Sequence, residues 1–355
     1  MTSFTIGVLY ATIAFTTFGL YPLYFKQLDG TPYLQVTTWR VVWSFPIAVA
    51  LFVWKSDWKA FVQTALTRAS LQHHTISAVL LGGLWLLYLY GVEANYIVEI
   101  SLGFFINPVL SVILAVVVLK EPLRRVQQLA VAIAIGGVIV VAIGYGKFPW
   151  LGLSIGACLA LYGLMKKTSP LGPIDSIFLE VTILLLPSAA ALVAMKANGT
   201  MVFMHSSAMV DWFLVGSGVV TVLPLLLYAS AAQKISFTLI GLLQYIGPML
   251  TFLFGVFIFH EEFSTARLIG FIFVWVALAM FAVEGIVNSR IKARKTSIVT
   301  LASTDTGVDM DVTITVGAAG SEGDSTAPVH DGFNEIIDSD HHIVCNIADK
   351  PHPNS

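Results

Sequence analysis

Apolar residues fill the chain up to about position 290 in blocks of roughly 20, separated by short polar turns. At a rise of 1.5 Å per residue, a helical block of that length crosses a hydrocarbon core of about 30 Å. Ten blocks are legible, at approximately 5–25, 34–54, 75–93, 98–119, 126–145, 150–168, 174–196, 210–231, 237–259 and 266–288. They predict an all-α integral membrane protein of ten transmembrane helices. Pro32, Pro122, Pro149 and Pro173 stand just before block starts, where a missing N–H costs least. Only a handful of residues around Glu93–Glu99 separate the third and fourth blocks, which makes those two antiparallel neighbours.

The pattern also repeats. Ser101–Val118, ending in Leu119-Lys120-Glu121, has a second copy at Leu242–Ile258, ending in Phe259-His260-Glu261. Ile106, Pro108 and Glu121 each recur 140 residues later as Ile246, Pro248 and Glu261. Small or polar residues recur in phase, Asn107, Ser111 and Ala115 against Gly247, Thr251 and Gly255. Their i, i+4, i+8 spacing puts each trio on one helix face, the kind that lets membrane helices approach closely. Tyr21 and Tyr162, Lys26 and Lys167, Pro32 and Pro173, and Pro46 and Pro187 extend the match at an offset of 141. Two repeats of five spans follow, residues 1–145 and 146–290. Because five is odd, the second enters the membrane upside down, the inverted-repeat architecture of many transporters.

Composition agrees: 57% of residues are hydrophobic and only 11% charged, against about 25% charged in soluble domains. The net charge of −2 hides an asymmetry. Ten acidic residues and one lysine follow residue 300, so the tail carries −9 and the body +7. Residues 291–355 are therefore expected to form a disordered acidic cytoplasmic tail, with too little apolar surface to offset the entropy of ordering. The tail's His341, His342, Cys345 and His352 fit no zinc-binding spacing, and Cys158 and Cys345 imply no disulfide framework. The N-terminus lacks a basic leader pattern, so the first block is expected to be a retained span. With the N-terminus inside, 13 Lys and Arg fall in inner loops and at the last exit, Lys166 and Lys167 among them, and 4 in outer loops. Cytoplasmic loops carry the excess of such residues, so both termini are expected in the cytoplasm and the protein in the plasma membrane.

On these residues the chain resembles the RarD-type permeases of the EamA group in the drug/metabolite transporter superfamily. The resemblance is carried by Arg40-Val41-Val42-Trp43-Ser44, by Glu99–Pro108, by Gln244-Tyr245-Ile246-Gly247-Pro248 and by Trp275–Ala279, and it covers residues 5 to about 290. It implies a ten-helix inverted-repeat bundle that moves a small organic metabolite or drug by alternating access. The acidic tail departs from the compact pattern of that family.

Ionisable side chains inside a span cost about 2.5–3.5 kcal/mol at the helix centre on insertion scales and are functional candidates by default. Arg40 and Glu180 are two such residues, each about six positions into its span and 140 apart. They are expected to bind substrate or to gate. Inversion puts them on opposite sides, at depths differing by roughly 12 Å, so two separate charge sites are expected rather than one bond. Thr37, Trp43 and Ser44 share the face of Arg40 and suggest a surface that meets water or substrate. Asn107 beside Pro108 and Gln244 one turn before Pro248 mark two helix hinges, where an amide side chain serves a freed carbonyl or a substrate. Trp43, Trp85 and Tyr245 are the aromatic candidates for lining a cavity. Glu99 is expected to favour the N-terminus of its own helix, and Glu121 and Glu261 to anchor turns.

Enzyme chemistry finds little footing. There is no HExxH and no phosphate-binding glycine loop, and His73-His74 are placed in a basic inner loop. Gly152-Leu153-Ser154-Ile155-Gly156 matches GxSxG but lacks the strand–turn–helix context of a nucleophile elbow. A membrane enzyme acting on lipids and a non-transporting scaffold or receptor are the rival readings. The expected partners are a small-molecule substrate and the lipid bilayer, with assembly as a homodimer left open. No nucleic acid, metal or cofactor is expected.

Overall fold

The structure, a computed structural model, describes residues 2–28, 30–94 and 96–257, together with 269–270, 272–273, 275–277, 279–280 and 283–284. The expectations for Glu261 and for the tail, including His341, His342, Cys345 and His352, lie outside the described residues. Within them all regular structure is helical: α1 (Ser3–Gly19), α2 (Tyr21–Phe25), a 3₁₀ turn (Lys26–Leu28), α3 (Tyr33–Lys55), α4 (Trp58–Ala65), α5 (Arg68–Glu93), α6 (Ile97–Val117), α7 (Arg125–Tyr145), α8 (Trp150–Lys167), α9 (Pro173–Ala197), α10 (Ala208–Ala232), α11 (Phe237–Leu243) and α12 (Ile246–Phe257). Among the described residues, six helices are long and apolar enough to cross a membrane: Ser3–Leu28, Tyr33–Lys55, Glu99–Val117, Arg125–Gly144, Pro173–Ala197 and Ala208–Ala232. Trp54, Ile143, Leu186 and Trp212 are each at least 74% exposed, an apolar outer surface that suits lipid rather than water.

Three departures from the sequence pattern matter for the site. The first block is broken: Pro22 has no N–H to continue the ladder, so the chain restarts as the short α2. The ninth block is broken too, into α11 and α12, with the Leu242 carbonyl receiving Tyr245 N–H in a tightened turn. Pro248 therefore falls in the first turn of α12 rather than at a mid-helix kink, whereas Pro108 and Pro46 lie inside continuous helices. The third block starts earlier than its apolar run, because α5 begins at Arg68. His73 and His74 are accordingly helical, not in a loop. The amphipathic α4 was not anticipated; it places Phe61 against Phe52 and Phe178, whose rings stack at 4.3 Å.

Packing runs through small residues. α8 lies against α6 with Gly152 and Gly156 facing Gly103. A Cβ on Gly152 would meet the Glu99 carbonyl at 2.7 Å, and one on Gly103 would meet the Gly152 carbonyl at 2.9 Å. The GxSxG string is thus a small-xxx-small packing face. α1 packs against α10 and α12, α3 against α9 and α10, α5 against α8 and α9, and α6 against α8 and α11.

Helix ends are joined by carboxylates. The last turn of α6 closes with Glu121 N–H on the Ala115 carbonyl and Lys120 in the left-handed region at φ 54°, an arrangement usual for glycine. That turn aims the Glu121 carboxylate at the start of α11, where it accepts from Phe237 N at 2.7 Å and from Thr238 N at 2.9 Å. Glu99 is buried and accepts Leu151 N–H at 2.9 Å. It therefore serves the N-terminus of α8 as well as sitting in the first turn of α6, since the close α6–α8 approach brings that amide within reach.

Candidate functional site

Arg40 lies two turns into α3, where the break after α1 pays an unexpected return in geometry: α2 presents Tyr21 and Phe25, one turn apart, to its guanidinium. The guanidinium carbon stands 5.3 Å from each of those ring centroids and 4.7 Å from the Trp85 ring on α5. Arg40 Nε donates to Thr221 Oγ1 on α10 at 2.6 Å. The Thr221 hydroxyl gives its own proton to the Ser217 carbonyl at 2.7 Å, which leaves its lone pair for the arginine. Tyr21 is fixed by donating to the Val220 carbonyl at 2.8 Å. Among the described residues no carboxylate pairs with Arg40, and the residue is only half-buried. Ring faces attract a cation by about 0.5–2 kcal/mol each but do not neutralise it. The site therefore keeps a full positive charge on a planar fork, the geometry suited to a carboxylate or phosphate.

Glu180 on α9 sits in a different setting. Its Oε2 accepts from Lys166 Nζ at 2.6 Å, and Lys166 also donates to Ser176 Oγ at 2.9 Å. Tyr162 OH donates to Oε2 at 3.5 Å, Ser176 Oγ to Oε1 at 3.4 Å, and His74 Nδ1 lies 3.4 Å from Oε1. His74, Lys166, Ser176 and Glu180 are all at most 1% exposed. A carboxylate so enclosed persists as an ion only when paired and hydrogen-bonded, and here both conditions are met. Arg40 and Glu180 share no partner, as two separate charge sites require.

The two hinge amides meet between the repeats. Ser111 Oγ lies 3.3 Å from Asn107 Oδ1 on its own helix and 3.2 Å from Gln244 Oε1 across the α6–α11 contact. All three are buried. Asn107, Ser111 and Ala115 do form one buried face, against which a Cβ on Gly241 would come within 3.2 Å. Tyr245 is 2% exposed and donates to the Phe105 carbonyl at 3.4 Å, so it packs the core of this crossing.

Of the aromatic candidates, Trp85 is brought to Arg40, Tyr245 to the crossing, and Trp43 beside Phe203 with its buried indole N–H unpartnered among the described residues. Ser44 does not line an open face. Its hydroxyl donates to the Arg40 carbonyl at 2.6 Å, and the residue is buried against Gly218, because α10 approaches α3 where glycine leaves room. Sequence reasoning missed Tyr21, Phe25 and Thr221 at the first site and His74, Tyr162, Lys166 and Ser176 at the second. Lys166 was counted among the inner-loop charges and is buried in α8 instead. One signal was available: Tyr162 and Lys166, and Ser176 and Glu180, are i, i+4 pairs that share a helix face.

The chain matches the model of the EamA-like transporter family over residues 5–143. It is 36% identical to Protein RarD of Salmonella typhi over 287 residues, 81% of this chain and 97% of that protein. An uncharacterized transporter of Vibrio cholerae is 35% identical over 281 residues, 79% of this chain and 93% of that one. The uncharacterized transporter YojE of Bacillus subtilis is 35% identical over 280 residues, 78% of this chain and 93% of that one. One crystal structure superposes at a TM-score of 0.59 with 15% identity, covering 77% of this chain and 96% of its own, a likeness of fold alone.

Proposed function

We propose, from the premise that the chain belongs to the RarD group of the EamA-like transporter family and is a permease-type transporter of the membrane, that it works by alternating access between two inverted five-helix repeats. In this reading residues 1–145 and 146–290 are the repeats, ten helices cross the bilayer, and 291–355 form a cytoplasmic tail. The packing supports it. Exchanging the repeats turns the α1–α10 contact into α8–α5, α1–α12 into α8–α6, and α3–α10 into α9–α5, and each of these contacts is present. The charge count supports cytoplasmic termini in the plasma membrane, with Arg40 in the outer half and Glu180 in the inner half.

The observation that carries the reading is the contrast between the two repeat-equivalent charges. Arg40 is half-exposed and has no carboxylate partner among the described residues; Glu180 is sealed and neutralised. The arrangement fits a carrier open on the Arg40 side and shut on the Glu180 side. Its substrate is a small organic molecule bearing a carboxylate or phosphate for the guanidinium and a face for the Trp85, Tyr21 and Phe25 rings. Asn107, Gln244, Pro108 and Pro248 lie where the repeats cross and act as the hinge. With no nucleotide-binding loop in the sequence, the energy comes from a solute or ion gradient.

Flux into proteoliposomes, measured over a panel of organic anions and neutral metabolites with and without a proton gradient, tests it. Anion flux that disappears in Arg40→Gln is expected. Flux of neutral solutes alone, or anion flux indifferent to Arg40, would sink the anionic-substrate reading.

A further inference from the structure

The cluster around Glu180 contains a histidine for which closure alone has no use. Lys166 already neutralises the carboxylate, yet α5 brings His74 into the same enclosed space. We propose that His74, held between Glu180 and Ser169, is a proton-binding site whose occupancy releases α5 from α8 and α9, so that the coupling ion at this gate is a proton. The inference rests on the alternating-access reading.

The hydrogen-bond assignments around the ring carry it. On the Nδ1 side stand Glu180 Oε1 at 3.4 Å and Ser176 Oγ at 3.5 Å. The carboxylate has only lone pairs to offer, and Ser176 sends its proton to Glu180 at 3.4 Å. Nδ1 must therefore carry a hydrogen. On the other side Nε2 faces Ser169 Oγ at 3.5 Å. The Ser169 hydroxyl donates to the Leu171 carbonyl at 3.0 Å and accepts Leu171 N–H at 3.2 Å. Its proton is engaged elsewhere, so the Nε2 lone pair has no donor directed at it. Nε2 is thus a basic nitrogen in a sealed site, facing an oxygen that accepts a hydrogen once one arrives.

Proton uptake is balanced simply. A hydronium ion gives its proton to Nε2, a new N–H forms towards Ser169 Oγ, and water is left; release on the other side returns the proton to water. Uptake takes the cluster from neutral to one net positive charge. Imidazolium and ammonium then share a single carboxylate in a space closed to water, where unbalanced charge is most costly. Separation of the helices hydrates both cations and removes that cost. The charged and titratable groups facing His74 are Lys166 and Tyr162 from α8, Glu180 from α9, and His73 on α5 itself, which stands edge-on at 5.2 Å. His73 donates Nε2–H to the Met165 carbonyl at 2.9 Å, so its own tautomer is fixed. From α3, α4 and α6 no charged side chain bonds to His74 among the described residues. A metal cation is a poor fit for the same site, because Lys166 Nζ already holds the position 2.6 Å from the carboxylate.

The test needs no transported solute. In full-length protein in nanodiscs, with Cys158→Ala and Cys345→Ser, a single cysteine is placed at Ser77, one turn along α5 from His74. Ser77 is 1% exposed, and its hydroxyl has no hydrogen-bond partner among the described residues, so the sulfur replaces it with little disturbance. A cysteine at the exposed Gln72 is the reference, and the maleimide labelling ratio of the two is followed from pH 8 to pH 5.5. The ratio is expected to rise with acid, by at most about tenfold per pH unit, the limit for one linked proton. It should be flat in His74→Gln. In Ser169→Ala the midpoint should move to lower pH, because the imidazolium loses its acceptor. A flat ratio in the wild-type background overturns the proposal, and so does an undiminished response in His74→Gln. If His74→Gln fails to fold, Ser169→Ala decides: an unmoved midpoint overturns it. None of these outcomes depends on Arg40 or on flux, so failure here leaves the transport reading to its own test.

Discussion

Arg40 and Glu180 occupy matching places in the two repeats and have opposite surroundings. Each lies about two turns into its helix, and each faces a tyrosine one repeat apart, Tyr21 for the first and Tyr162 for the second. One turn beyond the tyrosine the repeats diverge: Phe25 stands by Arg40, and at the offset of 141 Lys166 stands by Glu180. A ring leaves the neighbouring charge in place, whereas an ammonium cancels it. The comparison teaches that one scaffold position decides whether a buried ion is available to a ligand or consumed by the protein. The functional asymmetry of the duplicated architecture resides in that position rather than in the backbone.

The largest effect is expected on the closed side. Lys166→Met leaves the Glu180 carboxylate enclosed without its counter-ion, which costs about 3–5 kcal/mol and should give the steepest fall in melting temperature in detergent. Adding Glu180→Gln should recover most of it. A single variant that melts like the wild type would mean that water reaches the pair, and the contrast between the two sites would collapse. On the open side the expected loss is in transport, not in stability. Arg40→Lys and Arg40→Gln should each cut flux about tenfold or more, equivalent to at least about 1.4 kcal/mol, with folded yield and melting temperature close to normal, since an ammonium does not reproduce a planar fork. Reversing both charges, Arg40→Glu with Glu180→Arg, should not rescue; full rescue would show that the two side chains touch.

Phe25→Glu asks whether the open site can be converted into a copy of the closed one. A carboxylate one turn from Tyr21 should pair with Arg40 and abolish anion flux while leaving the melting temperature unchanged or slightly raised. Retained flux would show that neutralising Arg40 is harmless, contrary to its proposed role. The smallest effect belongs to Tyr162→Phe. Its hydroxyl reaches Glu180 at 3.5 Å, a long bond, and Lys166 still pairs with the carboxylate, so the loss should be about 1 kcal/mol or less by thermal unfolding. A drop near that of Lys166→Met would make the tyrosine a principal partner of the carboxylate.

Much of the architecture was legible because its causes are local. A block such as 174–196 is apolar for long enough to need a helix, and Pro173 starts it, as α9 bears out to within a residue at each end. The membrane environment follows from the same runs. Boundaries failed where local polarity and helix formation part company: His73 and His74 look like loop residues until α8 and α9 supply the partners that let α5 carry them. The break at Pro22 was within reach of the sequence, since proline lacks the donor, but what the break does was not.

By itself, then, the sequence determined the helical blocks, the duplication and the presence of two charges one repeat apart, because each depends on the order and spacing of residues along the chain. The tertiary structure alone decided what those charges mean. Arg40 meets Thr221 across 181 residues, and His74 meets Glu180 across 106. Such pairs are set by which helix faces close on one another, and that depends on side-chain fit among helices distant in sequence, as at Gly103, Gly152 and Gly218. A buried charge costs the same wherever it stands in a sequence; whether it is cancelled or left free is settled only when the helices pack.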